Sequence, residues 1–149
     1  MQGERSAATW QAGVARVEFT PAEDVWMAGY DSRDHPVEST LHPLWAKAIV
    51  LEDAENRRAV LVTTDLLGLT KDLSEEVCAD LAEKLSLQRS QIMLTSSHTH
   101  CGPVLSNALY DIYPLNDEHR TKIDRYTNNL TIKLRDLVVR ALSLLQIGR

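Results

Sequence analysis

The sequence predicts an α/β domain in which helices cover a mixed β-sheet, with elements in the order β-β-β-α-β-α. Three observations predict it. Residues 44–52, "LWAKAIVLE", and 58–64, "RAVLVTT", are aliphatic and β-branched runs joined by the short polar turn "DAENR", which reads as a hairpin. An apolar residue then recurs every fourth position over about 71–86, and a short apolar run follows at 91–95, which makes a β-α-β unit. Finally, residues 117 to about 145 keep the three-four spacing of a helix lying on a sheet.

In chain order, the first element is 13–19, "GVARVEF", whose alternation and branched residues predict a strand. Residues 20–43 carry Pro21, Gly29, Pro36 and Pro43, and predict a long irregular segment of the kind that is often functional in a compact domain. The hairpin comes next and Asp65 closes its second strand. In the first helix Leu73, Val77, Leu81 and Leu85 form one buried face beside Cys78 and Ala82, with Thr70 as N-cap and Asp72 in the first turn. A loop at 104–116 leads to the last helix, striped by Ile123, Tyr126, Leu130, Leu134, Leu137, Ala141 and Leu144.

The 149 residues fit a single domain, 1–149, large enough to bury a core without disulfide staples. A net charge of −5 gives no electrostatic footprint for nucleic acid, and the scattered Lys and Arg give none for anionic lipid. No apolar run reaches the roughly 18–20 residues that cross a bilayer, so no transmembrane segment is expected. The start, "MQGERSAATW", has no apolar core and predicts no signal peptide, hence a cytoplasmic protein if that start is native. Cys78 and Cys101 make no disulfide framework; Cys78 is expected in the core and Cys101 as a small buried residue.

The chemistry gathers at 95–103, "TSSHTHCGP". If strands 58–64 and 91–95 share a sheet, their crossover makes them parallel and their carboxyl ends lie on one edge, where ligands of open α/β sheets bind. Asp65 ends one strand, and His98 and His100 follow the other. The antiparallel hairpin returns His42 to the same edge, and the 20–43 loop, with Asp31, Arg33, Asp34 and His35, hangs over it. An H-x-H pair on extended backbone points both imidazoles one way, and three-ligand zinc sites keep a position open for water. The spacing alone leaves two readings open: metal ligands, or histidines satisfied by hydroxyls and backbone in a polar loop. The same holds for His42, which also fits a strand entry, and for Asp65, which also fits a turn. Asp31, Arg33 and His35 fit a solvated loop, and Asn129-Leu130-Thr131 matches a glycosylation acceptor inside a predicted helix.

The run "SSHTHCGP" resembles the T-H-T-H-S/A-G-P motif in the N-terminal domain of the neutral/alkaline non-lysosomal ceramidase family. "AGVARVEFTP", "MAGY", "LHPLWAKAIVLED" and "AVLVTTDLLGL" resemble other segments of that family in the same order, over residues 11–103. The resemblance implies a zinc-dependent amide hydrolase acting on ceramide or a related lipid amide. It implies His98 as a zinc ligand and His100 beside the metal as the catalytic residue, with His42 and Asp65 as supports. The family's remaining ligands, a second histidine, a glutamate and a tyrosine, lie far downstream; His119 is too near the motif to be one of them. "VL" follows Pro103 where the family carries glycines. The expectation is therefore the N-terminal portion of a larger catalytic domain, inactive alone and completed by the remainder of that domain or by an oligomer partner. The alternative is a degenerate, non-catalytic module serving interaction or assembly.

Overall fold

The structure, a computed structural model, describes residues 10–147. Five strands form one sheet in the order β4-β3-β2-β1-β5. They are β1 (Gln11–Glu18), β2 (Trp45–Glu52), β3 (Arg58–Thr64), β4 (Ile92–Ser96) and β5 (Gln146–Ile147), with helices α1 (Lys71–Leu85) and α2 (Asp117–Ser143). β1–β2 and β2–β3 are antiparallel and β3–β4 is parallel, as the hairpin and the crossover predict. β5 was not expected. The last helix stops at Ser143 and the chain turns back to pair Gln146 and Ile147 with the start of β1. Two residues are too few to carry a period of two.

Alternation along the strands sorts the two faces of the sheet. Ala46, Ala48 and Val50 of β2, with Val60 and Val62 of β3, point inward and are buried. They meet Leu73, Val77, Cys78 and Leu81 of α1 and Leu130, Leu134, Leu137 and Ala141 of α2 in one core. Both helices lie in this one layer. Thr70 caps α1, its hydroxyl accepting from the Leu73 amide at 3.4 Å. At α2, Asn116 and His119 form a reciprocal capping box. β1 passes so close beneath α2 that a Cβ built on Gly13 falls 2.0 Å from the Ala141 carbonyl oxygen.

The 20–43 segment is irregular, as expected, but it is anchored. Trp26 and Ala28 pack with Val104, Tyr113 and Ile123 in a second core cluster. Lys122 and Arg125 of α2 pair with Asp24 at 2.9 Å and Glu23 at 2.8 Å. The Tyr126 hydroxyl donates to the Phe19 carbonyl at 3.0 Å, and burial pushes its phenol pKa well up, so the donor proton stays. Thr131 of the Asn129-Leu130-Thr131 triplet is buried within α2, its hydroxyl donating to the Thr127 carbonyl. Leu130 and Thr131 thus serve helix packing, while Asn129 is exposed.

Candidate functional site

The motif after β4 is held between two backbones. On one side the Ser97 amide donates to Thr64 O at 2.9 Å and the Thr99 amide to Leu66 O at 3.2 Å, which extends the β3–β4 pairing past the sheet. On the other side Met27 bridges Pro103, with Ala28 N donating to Gly102 O and Val104 N to Trp26 O, each at 2.8 Å. The part of the long loop whose backbone pairs with the motif is therefore 26–28, within "WMAGY".

Between these anchors His98 takes a left-handed backbone conformation, φ 57°. Such a conformation is uncommon outside glycine, although histidine enters it more readily than most residues. It aims the His98 ring at the loop after β3, where Nδ1 lies 2.8 Å from the Leu67 carbonyl oxygen. A carbonyl only accepts, so in the neutral ring Nδ1 carries the proton and Nε2 has the lone pair. The side chain is exposed.

His100 is gripped rather than exposed. Its ring lies on the backbone of Gly29, where a Cβ would fall 2.4 Å from Cγ of the imidazole, and Gly29 has φ 107°. The Tyr113 hydroxyl accepts the Gly29 amide at 2.8 Å. Arg33 donates from Nη2 to the His100 carbonyl at 2.9 Å and sits 5.3 Å over the Tyr30 ring. Tyr30 in turn meets the His100 ring edge-on, centroids 4.7 Å apart. Nδ1 of His100 is buried and has no hydrogen-bond partner among the described residues. The two motif rings are 5.4 Å apart at a steep angle.

Asp65 is a strand anchor. Its Oδ2 accepts the Trp45 amide at 2.9 Å while its own amide donates to the Trp45 carbonyl at 3.1 Å. It also lines a groove of about 600 Å³ together with His42, Ser97, Thr99 and Cys101. Residues 97, 99 and 101 of the motif face this groove, and His98 and His100 do not line it. The four predicted positions thus share one sheet edge, but the structure brings His98 and His100 together and sets His42 and Asp65 on the groove.

Cys101 is exposed, not buried as expected, because it follows the groove-facing alternation of Ser97 and Thr99. Asp34 and His35 are exposed, and the hydrogen bond from His35 at 2.5 Å holds the Asp34 carboxyl below its usual range. Arg33 leaves the solvated loop to hold His100. Gly29, Tyr30, Arg33 and Leu67 contact the histidines, and Tyr113 holds Gly29. The "MAGY" run pointed to Gly29 and Tyr30, and Arg33 was expected in the loop over this edge; the Leu67 carbonyl and Tyr113, an isolated tyrosine in a mixed loop, were not singled out. Among the described residues, no group of three His, Cys, Asp or Glu side chains is placed to hold a metal ion.

The close approach at Gly29 gives a direct check. Gly29→Ala is expected to push His100 from its place and to cost about 1–3 kcal/mol of stability, from an unfavourable φ and the clash together. Urea denaturation and the imidazole NMR resonances measure both, and an unshifted His100 resonance would contradict the contact.

Three comparisons bear on this geometry. The sequence model described as neutral/alkaline non-lysosomal ceramidase, N-terminal, matches residues 10–123. The neutral ceramidase of Pseudomonas aeruginosa is 30% identical over 118 residues, which is 75% of this chain and 18% of that protein. The crystal structure of neutral ceramidase from Pseudomonas aeruginosa superposes with a TM-score of 0.76 at 26% identity, covering 97% of this chain and 23% of that one. A structure described as ceramidase complexed with C2 gives a TM-score of 0.78 at 26% identity, over 96% of this chain and 22% of the other. The chain spans less than a quarter of the length of these relatives.

Proposed function

The chain belongs to the neutral/alkaline non-lysosomal ceramidase family, and from that premise we propose that it is the N-terminal part of a zinc-dependent hydrolase of lipid amides. His98 would hold the metal and His100 would stand beside it, within reach of a substrate amide or a water. The observation that carries the reading is the His98 ring, whose Nδ1 is tied to the Leu67 carbonyl while the exposed side chain keeps Nε2 for a ligand. That is the tautomer and the kind of outer contact that metal-bound imidazoles use. Zinc held there supplies Lewis-acid polarisation of an amide carbonyl.

The chain's own residues contribute positioning. Leu67 orients His98, while Gly29, Tyr30 and Arg33 fix His100 at a set distance from it. Asp65 pins the start of β2 to the end of β3 and so keeps the strand ends beneath the motif in register. His42 and Asp65 support the site through the groove rather than by reaching the histidine pair.

One imidazole, or two, is a part of a zinc shell. The remaining ligands come from a further part of the catalytic domain or from a partner. The 149-residue chain alone is accordingly expected to hold zinc weakly and to release no fatty acid from an N-acylsphingosine. Metal analysis after gel filtration and a fatty-acid release assay check this. Stoichiometric zinc with turnover by the chain alone would sink the reading of a divided site. The lack of a three-ligand cluster among the described residues also favours a second reading, a module that keeps the fold for assembly only. A zinc affinity unchanged by loss of the His98 imidazole would favour it over the first.

A further inference from the structure

We propose that the helix-free face of the sheet is a docking surface for an apolar layer of the larger ceramidase-type domain, and that this layer carries carboxylates opposite Arg16 and Lys47. The proposal rests on reading the chain as part of such a domain.

The strand register builds the surface. Val14 pairs with Ile49, Ile49 with Leu61 and Leu61 with Met93, so one unbroken apolar row crosses four strands on this face. Val14 is 62% exposed, Leu61 36% and Met93 61%. Ala12, Leu51 and Ala59 form a second apolar row beside it. A shallow groove of about 620 Å³ runs here, lined by Val14, Arg16, Lys47, Ile49 and Leu61 and bordered at the β1 edge by Arg140 and Leu144 from the end of α2. An antiparallel sheet face that meets water is polar, and two adjacent rows of this one are wholly apolar. A sheet with one helix layer and an apolar second face is a layer short of a buried core.

The next row identifies the occupant. Arg16 and Lys47 are direct cross-strand partners, followed by Thr63 and Thr95. Like charges placed opposite one another destabilise a sheet. Among the described residues neither forms a salt bridge, and Arg16 rests 4.6 Å over the Trp45 ring instead. A twofold contact with a second copy centred on this row would set cations against cations. Glu18, the carboxylate on this face beside Arg16, accepts from the Thr20 hydroxyl at 2.8 Å and pairs with neither cation. A layer bearing further carboxylates resolves the conflict. The relatives have chain to supply it, since this chain covers only 18% of the Pseudomonas protein and 23% of its crystallised chain.

The test is the double substitution Leu61→Lys with Met93→Lys, made in two settings. In the 149-residue chain it is expected to lower the fluorescence of bound anilinonaphthalene sulfonate at least threefold while leaving the melting temperature unchanged. In a chimera whose residues 10–123 replace the matched segment of Pseudomonas aeruginosa neutral ceramidase, it is expected to cut the folded yield at least tenfold. Equal tolerance in both settings would overturn the proposal, as would a parent chain that binds no dye. A dimer dissolved by the double variant would assign the face to a second copy. Binding to phosphatidylserine vesicles abolished by the variant would assign it to a lipid surface; either result overturns the proposal. If the parent chimera does not fold, the dye measurement on the chain alone decides. Failure of zinc binding would sink the catalytic reading and leave these readouts unchanged.

Discussion

Gly13→Val is expected to lift α2 from the sheet and to lower the stability of the domain by about 3 kcal/mol or more. The smallest Cβ at this position lies 2.0 Å from the Ala141 carbonyl oxygen, 3.0 Å from the Leu145 amide nitrogen and 3.1 Å from the Ala141 carbonyl carbon. All three are backbone atoms, so no rotamer change relieves the clash. The helix must lift, and in lifting it uncovers Leu134, Leu137 and Ala141, which are buried against β1 and β2. Overpacking a core commonly costs about 1–3 kcal/mol, and a backbone collision sits at or above the top of that range. A small domain has roughly 5–15 kcal/mol in total. Circular dichroism at 222 nm through a urea titration is the measurement. A midpoint within experimental error of the parent would show that β1 and α2 are not in this contact.

The second large effect falls on His98 and separates chemistry from folding. His98→Ala removes the imidazole but keeps a side chain at φ 57°. His98→Gly removes the imidazole and also relieves the left-handed backbone. Both are expected to weaken zinc binding roughly 100-fold or more, since even the outer contacts of a metal ligand are worth about 10–100-fold. Their stabilities should divide: the glycine variant is expected to match the parent to within about 1 kcal/mol, with the alanine variant below it. Isothermal titration with zinc, paired with urea denaturation, reads the two effects independently. Zinc affinity retained in both variants would remove His98 from any metal shell. Affinity lost only in the less stable variant would mean that the loss came through the fold.

The strands and their pairing were legible because they rest on short-range regularities. Alternation marked β1 to β3, the five-residue turn set the hairpin, and the crossover rule made β3 and β4 parallel. The site's edge followed from those alone. Other features depended on single residues far apart in sequence. Trp26 anchors the long loop through Val104 and Ile123, and no periodic signal connects them. The left-handed turn at His98 arises because the motif is pinned at Ser97 and Thr99 on one side and at Gly102 on the other. The division of the predicted residues follows from the same pinned backbone, turned left-handed at His98, which gives 97, 99 and 101 to the groove and leaves 98 and 100 out of it. That alternation was present in the H-x-H spacing, whereas its bearing on Asp65 and His42 required the register.

The short β5 strand has a geometric consequence for how material is attached to this domain. Pairing Gln11 with Ile147 brings both ends of the described chain to one corner of the sheet. That corner lies beside Glu52 and Arg58, at the end of the strands opposite the histidines. Joining the two ends should therefore be tolerated, and new termini opened in the 53–57 turn would make a circular permutant with the same strand order. Anything attached at the natural corner starts about a full strand length, roughly 25 Å, from His98. To deliver a side chain to that ring it must first run back along the sheet, which requires at least about eight extended residues.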